Sequence, residues 1–139
     1  MVVVDASALV AIICAEADAD TLLNAIETAP DSVAFRKVSE ISIWEAACAV
    51  SRIKRVSRPQ ALLEVENFLR AASISRAAAD EHVTRIAVDA AERYGAGNIQ
   101  GNPAILNLGD CFSYATARYF SARLICKGED FRRTDIEIA

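Results

Sequence analysis

At 139 residues, 53% of them hydrophobic and only three proline, the chain has the composition of one domain, residues 1–139, with a sizeable core, and not that of a disordered or fibrous protein. No apolar run is long enough to span a bilayer, and Met-Val-Val-Val-Asp lacks the charged region and cleavage pattern of a signal peptide, so a cytoplasmic protein without membrane association is expected. A net charge of −4 and a pI near 5.0 give no bulk electrostatic pull on nucleic acid.

Charge is unevenly spread. Arg52, Lys54, Arg55 and Arg58 form one basic run, and Lys127, Arg132 and Arg133 form another. Cations at a helix C-terminus account for at least half of the first run. Cys14, Cys48, Cys111 and Cys126 lie inside apolar patterns with no Cys-x-x-Cys pair. They read as small core residues in a reducing compartment, not as zinc ligands or disulfides.

In chain order, Val2–Val4 is a β-branched run ending at Asp5 and reads as a buried strand. A helix pattern from Leu9 to Glu16 follows, with Asp5 or Ser7 able to cap it. A second helix is expected over Asp18–Thr28, stopped at Pro30-Asp31. Val33–Ser39 reads as a strand. Ser42-Ile43-Trp44-Glu45 fits a capping box, in which Glu45 would reach back to the backbone of Ser42, and an alanine-rich helix continues to about Lys54. Ser57-Arg58-Pro59 opens another helix, with Pro59 at its first position and Leu62, Leu63, Val65, Phe68 and Leu69 as its apolar face. Ser73–Ser75 is a short strand candidate. A long helix spans about Asp80–Tyr94, closed by Gly95, and His82 in its first turn reads as a solvated residue. Gly95–Gly109 is irregular, and a loop of that length is often functional. A helix pattern starts at Asp110, which reads as an N-cap, and runs through Phe120. Arg123–Lys127 is a strand, Gly128–Phe131 a turn and Ile136–Ile138 a final short strand. Strands alternating with helices predict an α/β sandwich with a mainly parallel sheet.

In such sheets ligands bind outside the carboxyl ends of the strands. Asp5 ends the first strand, Glu45 enters the helix after the second, Asp110 opens the helix that feeds the fourth, and Asp130 follows that strand. Connectivity alone thus brings four carboxylates to one edge. Together they would repel one another and rise in pKa unless a cation were present. Oxygen ligands of this kind select Mg²⁺ or Mn²⁺, which can lower a water's pKa and orient a phosphate. The chain has no phosphate-binding glycine loop, dinucleotide fingerprint or nucleophile elbow. Phosphodiester hydrolysis is the reaction this ligand set supports best. Two other readings use the same acids. One is a phosphatase or phosphotransferase with Asp5 as nucleophile, although the second acid such enzymes usually carry two residues on is here Ser7. The other is a non-catalytic interaction domain whose acids only cap helices.

Four segments bear on the choice: Val2-Val3-Val4-Asp5-Ala6-Ser7-Ala8-Leu9, Ser42-Ile43-Trp44-Glu45-Ala46, Leu106-Asn107-Leu108-Gly109-Asp110-Cys111-Phe112 and Lys127-Gly128-Glu129-Asp130-Phe131. In this order they resemble the PIN-domain ribonucleases, and more narrowly the VapC toxins of bacterial toxin–antitoxin pairs. The resemblance implies a PIN-like three-layer α/β/α sandwich. It implies that Asp5, Glu45, Asp110 and Asp130 form an acidic Mg²⁺ site with Ser7 beside Asp5. Asp5 and Asp110 would be the metal ligands, and Glu45 and Asp130 would act directly or through water. Glu129 and Asp135 are neighbours able to share the role of Asp130. Cleavage of structured RNA, often tRNA, to leave a 5′-phosphate is implied as well, as are a homodimer and a cognate VapB antitoxin that blocks the pocket.

Overall fold

The computed structural model describes residues 1–139. Strand β1 (Val2–Val4) is buried on both faces and pairs in parallel with β2 (Arg36–Ser39) on one side and β4 (Arg123–Ile125) on the other. Strand β3 (Ser75–Ala77) extends the sheet beyond β2, giving the order β3-β2-β1-β4 with every pairing parallel. A strand covered on both faces has no polar side to present, which is why its sequence is unbroken valine.

The alternation of side chains along β1 assigns the two outer layers. Val2 and Val4 join a core with α1 (Ala6–Ile13), α2 (Ala19–Glu27), α3 (Glu40–Lys54) and α4 (Arg58–Ala71). Val3 points the other way, into a second core with α5 (Glu81–Tyr94) and α6 (Leu108–Tyr119). The molecule is therefore a three-layer α/β/α sandwich. The chain steps outward from β1 to β2 to β3 over the first face, then α5 and α6 carry it back over the second face to β4. The direction of winding reverses beside β1, and the carboxyl end of that strand is where such a sheet opens a crevice. No helix is long and apolar enough to cross a membrane.

Several boundaries differ from the sequence reading, mostly where two residues compete for a cap. Helix α3 starts three residues earlier than the Ser42 capping box requires. Ser39, the last residue of β2, already has extended dihedrals, and its hydroxyl accepts from Ile41 N–H at 3.1 Å. Ser42 is thereby released from capping, and Glu45 moves into the second turn, away from any backbone N–H. Likewise α6 is capped by Asn107, and Asp110 is its third residue. The two close a reciprocal box: Asn107 Oδ1 accepts from Asp110 N–H and Asp110 Oδ2 from Asn107 N–H, both at 2.9 Å. Strand β2 begins at Arg36 because Phe35 N–H turns back to Ser32 C=O at 2.9 Å. The last strand shrinks to one parallel bridge, Leu124 to Ile138. Gly95 does follow α5, but with extended backbone; a Cβ there would lie 2.5 Å from Ala91 O, so glycine answers close approach and not a left-handed turn.

Candidate active site

Asp5 leaves the sheet at the carboxyl end of β1, its N–H donating to Ile125 C=O at 2.9 Å. It is only 3% exposed, and a carboxylate so buried needs donors. Ser7 supplies two to Oδ2, its backbone N–H at 2.9 Å and its hydroxyl at 2.5 Å. Ser113 Oγ supplies a third, to Oδ1 at 2.6 Å, and lies 2.9 Å from Ser42 Oγ. Asp5 is thus both the N-cap of α1 and the anchor of a serine chain tying β1 to α6 and α3. The Ser7 hydroxyl also accepts from Lys127 N–H at 2.9 Å, fastening the loop after β4.

Helix α3 runs past this end of the sheet with Glu45 and Arg52 toward the crevice, and α6 enters it with Asp110. A cavity of about 440 Å³ is lined by Asp5, Ser7, Glu45 and Asp110, with Trp44 and Arg52 farther along α3. The opposite wall carries Lys127, ion-paired with Glu16 and with Asp18.

The three acids differ in how they are held. Asp110 is fixed by its capping box. Burial, opposed by the Asn107 N–H and reinforced by the charges of Asp5 and Asp130, pushes its carboxyl up to about 6. Glu45 is half-buried and has neither a hydrogen bond nor an ion pair; burial, then the charges of Asp5 and Asp110, push it up to about 7. Its carboxylate sits against Gly109, where an added Cβ would lie 1.9 Å from Oε2. The glycine read as the end of a loop is the second residue of α6, and it keeps the space that Glu45 occupies.

Asp130 stands apart. It is exposed at the start of a 3₁₀ turn (Asp130–Arg133), close enough to act on Asp110 through its charge but not part of the cavity wall. Asp135 is engaged elsewhere, accepting from Tyr114 OH at 2.5 Å and from Arg93 at 3.2 Å. Glu129 is exposed and faces Arg132 at 3.4 Å. Ser113 was not singled out in the sequence, and Ser42 and Glu16 were read only as the start of a capping box and the end of a helix, not as parts of the site. The one signal for Ser113 was its spacing, three residues after Asp110 and so on the same helix face.

Asp5, Glu45 and Asp110 line one cavity without closing into a three-ligand cage. That suits an ion which keeps several waters and takes one or two carboxylates, as Mg²⁺ does, better than one that demands a full protein shell. The donor set is oxygen only, and the raised pKa values mark burial first and mutual repulsion second, both of which a cation would offset.

The fold and the acidic crevice define a PIN domain, and the family model so described matches residues 2–137. Ribonuclease VapC42 of Mycobacterium tuberculosis is 38% identical over 137 residues, covering 99% of this chain and 98% of that protein. Among solved structures, M. tuberculosis VapC20, described as a Sarcin-Ricin loop cleaving toxin, matches with a TM-score of 0.75 at 13% identity, over 100% of this chain and 98% of that one. A toxin–antitoxin complex from Klebsiella pneumoniae matches with a TM-score of 0.64 at 17% identity, over 94% and 90%. At such identities these two speak to fold alone. The chain belongs to the PIN-domain family, among its VapC ribonucleases.

Proposed function

We propose that this chain is the toxin of a VapBC-type pair, an endoribonuclease that needs Mg²⁺, with Mn²⁺ as a substitute, to hydrolyse phosphodiester bonds in tRNA or another structured RNA. It would act in the cytoplasm as a homodimer of one-domain subunits and be inhibited by a cognate VapB-type antitoxin. The observation that carries the reading is Glu45: a half-buried carboxylate with no structural partner, facing Asp5 and Asp110 across one open cavity. Its relatives are VapC ribonucleases by name, which favours RNA as the phosphodiester.

Asp5 and Asp110 would hold the ion, with Glu45 and Asp130 contributing directly or through water. When bound, Mg²⁺ supplies a Lewis acid and a water of lowered pKa. The remaining work falls to the chain itself. The serine hydroxyls keep Asp5 in one orientation, and the capping box does so for Asp110. Glu45, unbonded, is left to accept a proton from the attacking water. A phosphatase using Asp5 as nucleophile gains nothing here, because the position two residues on, where such enzymes usually carry a second acid, is Ser7, whose hydroxyl is bonded to Asp5. An interaction domain explains the caps at Asp5 and Asp110 but leaves Glu45 without a role.

The purified chain should cut RNA in Mg²⁺ or Mn²⁺, leave 5′-phosphates and stop in EDTA. Asp110→Asn should cost about 10²-fold or more in rate. Cutting that is unaffected by EDTA would sink the metal-dependent reading. The antitoxin is expected to place an arginine or lysine near Asp5 and Asp110. Replacing that residue should weaken inhibition more than complex formation; inhibition that survives loss of every basic residue in the antitoxin's tail would contradict this.

A further inference from the structure

Trp44 is 68% exposed, the most exposed aromatic of the chain, although tryptophan is highly buried on average. It precedes Glu45 on α3 and forms a ridge between two cavities, the acidic one and a second of about 410 Å³ toward the start of α4. Along α3, Trp44, Cys48 and Arg52 recur at every fourth residue, which sets Arg52 about 12 Å down the same wall. On the other side of the ridge, Arg58 lines the second cavity.

The cations near this ridge fall into two groups. Lys54 is paired with Glu64 at 2.5 Å, and Arg76 with Glu66 at 2.5 Å and Glu40 at 3.4 Å. Arg52 and Arg58 have no acidic partner, and one lies in each cavity. The dipole of α3 accounts for Arg52 in its last turn. It does not account for Arg58, the first residue of α4, where the helix end disfavours a cation. An exposed indole flanked by unpaired guanidinium groups is the arrangement that holds single-stranded nucleic acid: bases stack on the ring while the cations follow the backbone. Only an unpaired base can offer its face to such a ring.

We infer that Trp44 stacks an unpaired base next to the scissile bond, with Arg52 and Arg58 contacting the backbone phosphates on either side. This rests on the ribonuclease reading and names what the same site would recognise.

Trp44 is the chain's single tryptophan, so its fluorescence reports on the proposal directly. The full-length protein in EDTA is titrated with a short single-stranded oligoribonucleotide and with an abasic oligomer of the same length and charge. The intact strand should quench saturably and the abasic one much less. In Mg²⁺, Trp44→Ala should raise the KM for RNA roughly tenfold or more, and Trp44→Phe should restore most of it. Arg52→Ala and Arg58→Ala should each make binding less sensitive to salt. Equal quenching by both oligomers, or an unchanged KM in Trp44→Ala, would overturn the stacking role while leaving the nuclease reading intact. Weakened antitoxin binding by Trp44→Ala with an unchanged KM would assign the ring to a protein contact and overturn it too. Wild-type protein that cuts no RNA in either metal overturns the ribonuclease reading itself.

Discussion

Glu45 titrates in the wrong direction for a structural carboxylate. In the unfolded chain it ionises near 4.5, and in the fold near 7; for Asp110 the two values are 3.8 and about 6. Between these limits the folded protein keeps protons that the unfolded chain has released. Stability contributed by these two groups is therefore highest below about pH 4, falls as pH rises to about 7 and is flat beyond. Metal-free protein in EDTA should melt lower at pH 8 than at pH 5 on this account, and Glu45→Gln should narrow the gap. A gap of the same size in Glu45→Gln would show that the acid cluster is not its source. Burial acts on the thiols as well: it raises Cys14, and it pushes two others farther, Cys126 to about 12 and Cys111 to about 11. Alkylation of the denatured, unreduced chain should count four free thiols, and in the folded protein these two should react slowest. The apolar setting of the cysteines was legible in the sequence, but only Cys111 is fully buried. Ser7 beside Asp5 was legible through the resemblance, but Ser113 and Ser42 were not, because their hydroxyl contacts span more than seventy residues.

At the level of elements, the meeting of α3 and α6 decides whether the acids converge. Gly109→Ala isolates that contact. Alanine suits the first turn of a helix, so the fold should hold within about 1 kcal/mol. The new methyl would occupy the position of the Glu45 carboxylate and displace it, and a shift of that size should lower cleavage by about 10²-fold. Normal cleavage in this variant, measured beside urea denaturation, would mean that Glu45 need not sit there. Arg36 shows a different dependence. It is 6% exposed at the start of β2, and its guanidinium donates to Ala29 C=O and Ala72 C=O at 2.8 Å and to Asp31 at 3.0 Å. Arg36→Ala would strand two carbonyls at the ends of α2 and α4, and urea denaturation should register a loss of about 2–3 kcal/mol. Nothing in the sequence marked Arg36, which stands beside a second cation, Lys37, in the same strand. The helices themselves were readable from their periodicity; the start of α5 was placed at Asp80, which the structure shows to be its N-cap. The starts of α3 and α6 were misread because Ser39 and Asn107 bind the backbone before Ser42 and Asp110 can.

For the whole molecule, the gathering of acids followed from connectivity: a parallel sheet returns every helix start to one edge. Connectivity could not say that β4 lies beside β1, which brings Asp130 near Asp110 while leaving it on the surface. A cation that binds only the folded form should raise the melting temperature, by a stabilisation of about 2.7 kcal/mol at a hundredfold excess over Kd. Melts in EDTA and in millimolar Mg²⁺ test this, and identical midpoints would contradict it.

The most direct test of the acidic site is Glu45→Gln, assayed for RNA cleavage in Mg²⁺ and for metal-free stability on the same preparation. Glutamine keeps the size of the side chain and removes a charge that bonds to nothing in the fold. Metal-free stability at pH 8 should hold or rise as the repulsion from Asp5 and Asp110 disappears, while cleavage falls by about 10²-fold or more. Wild-type cleavage by Glu45→Gln would contradict the assignment of this cavity as the active site.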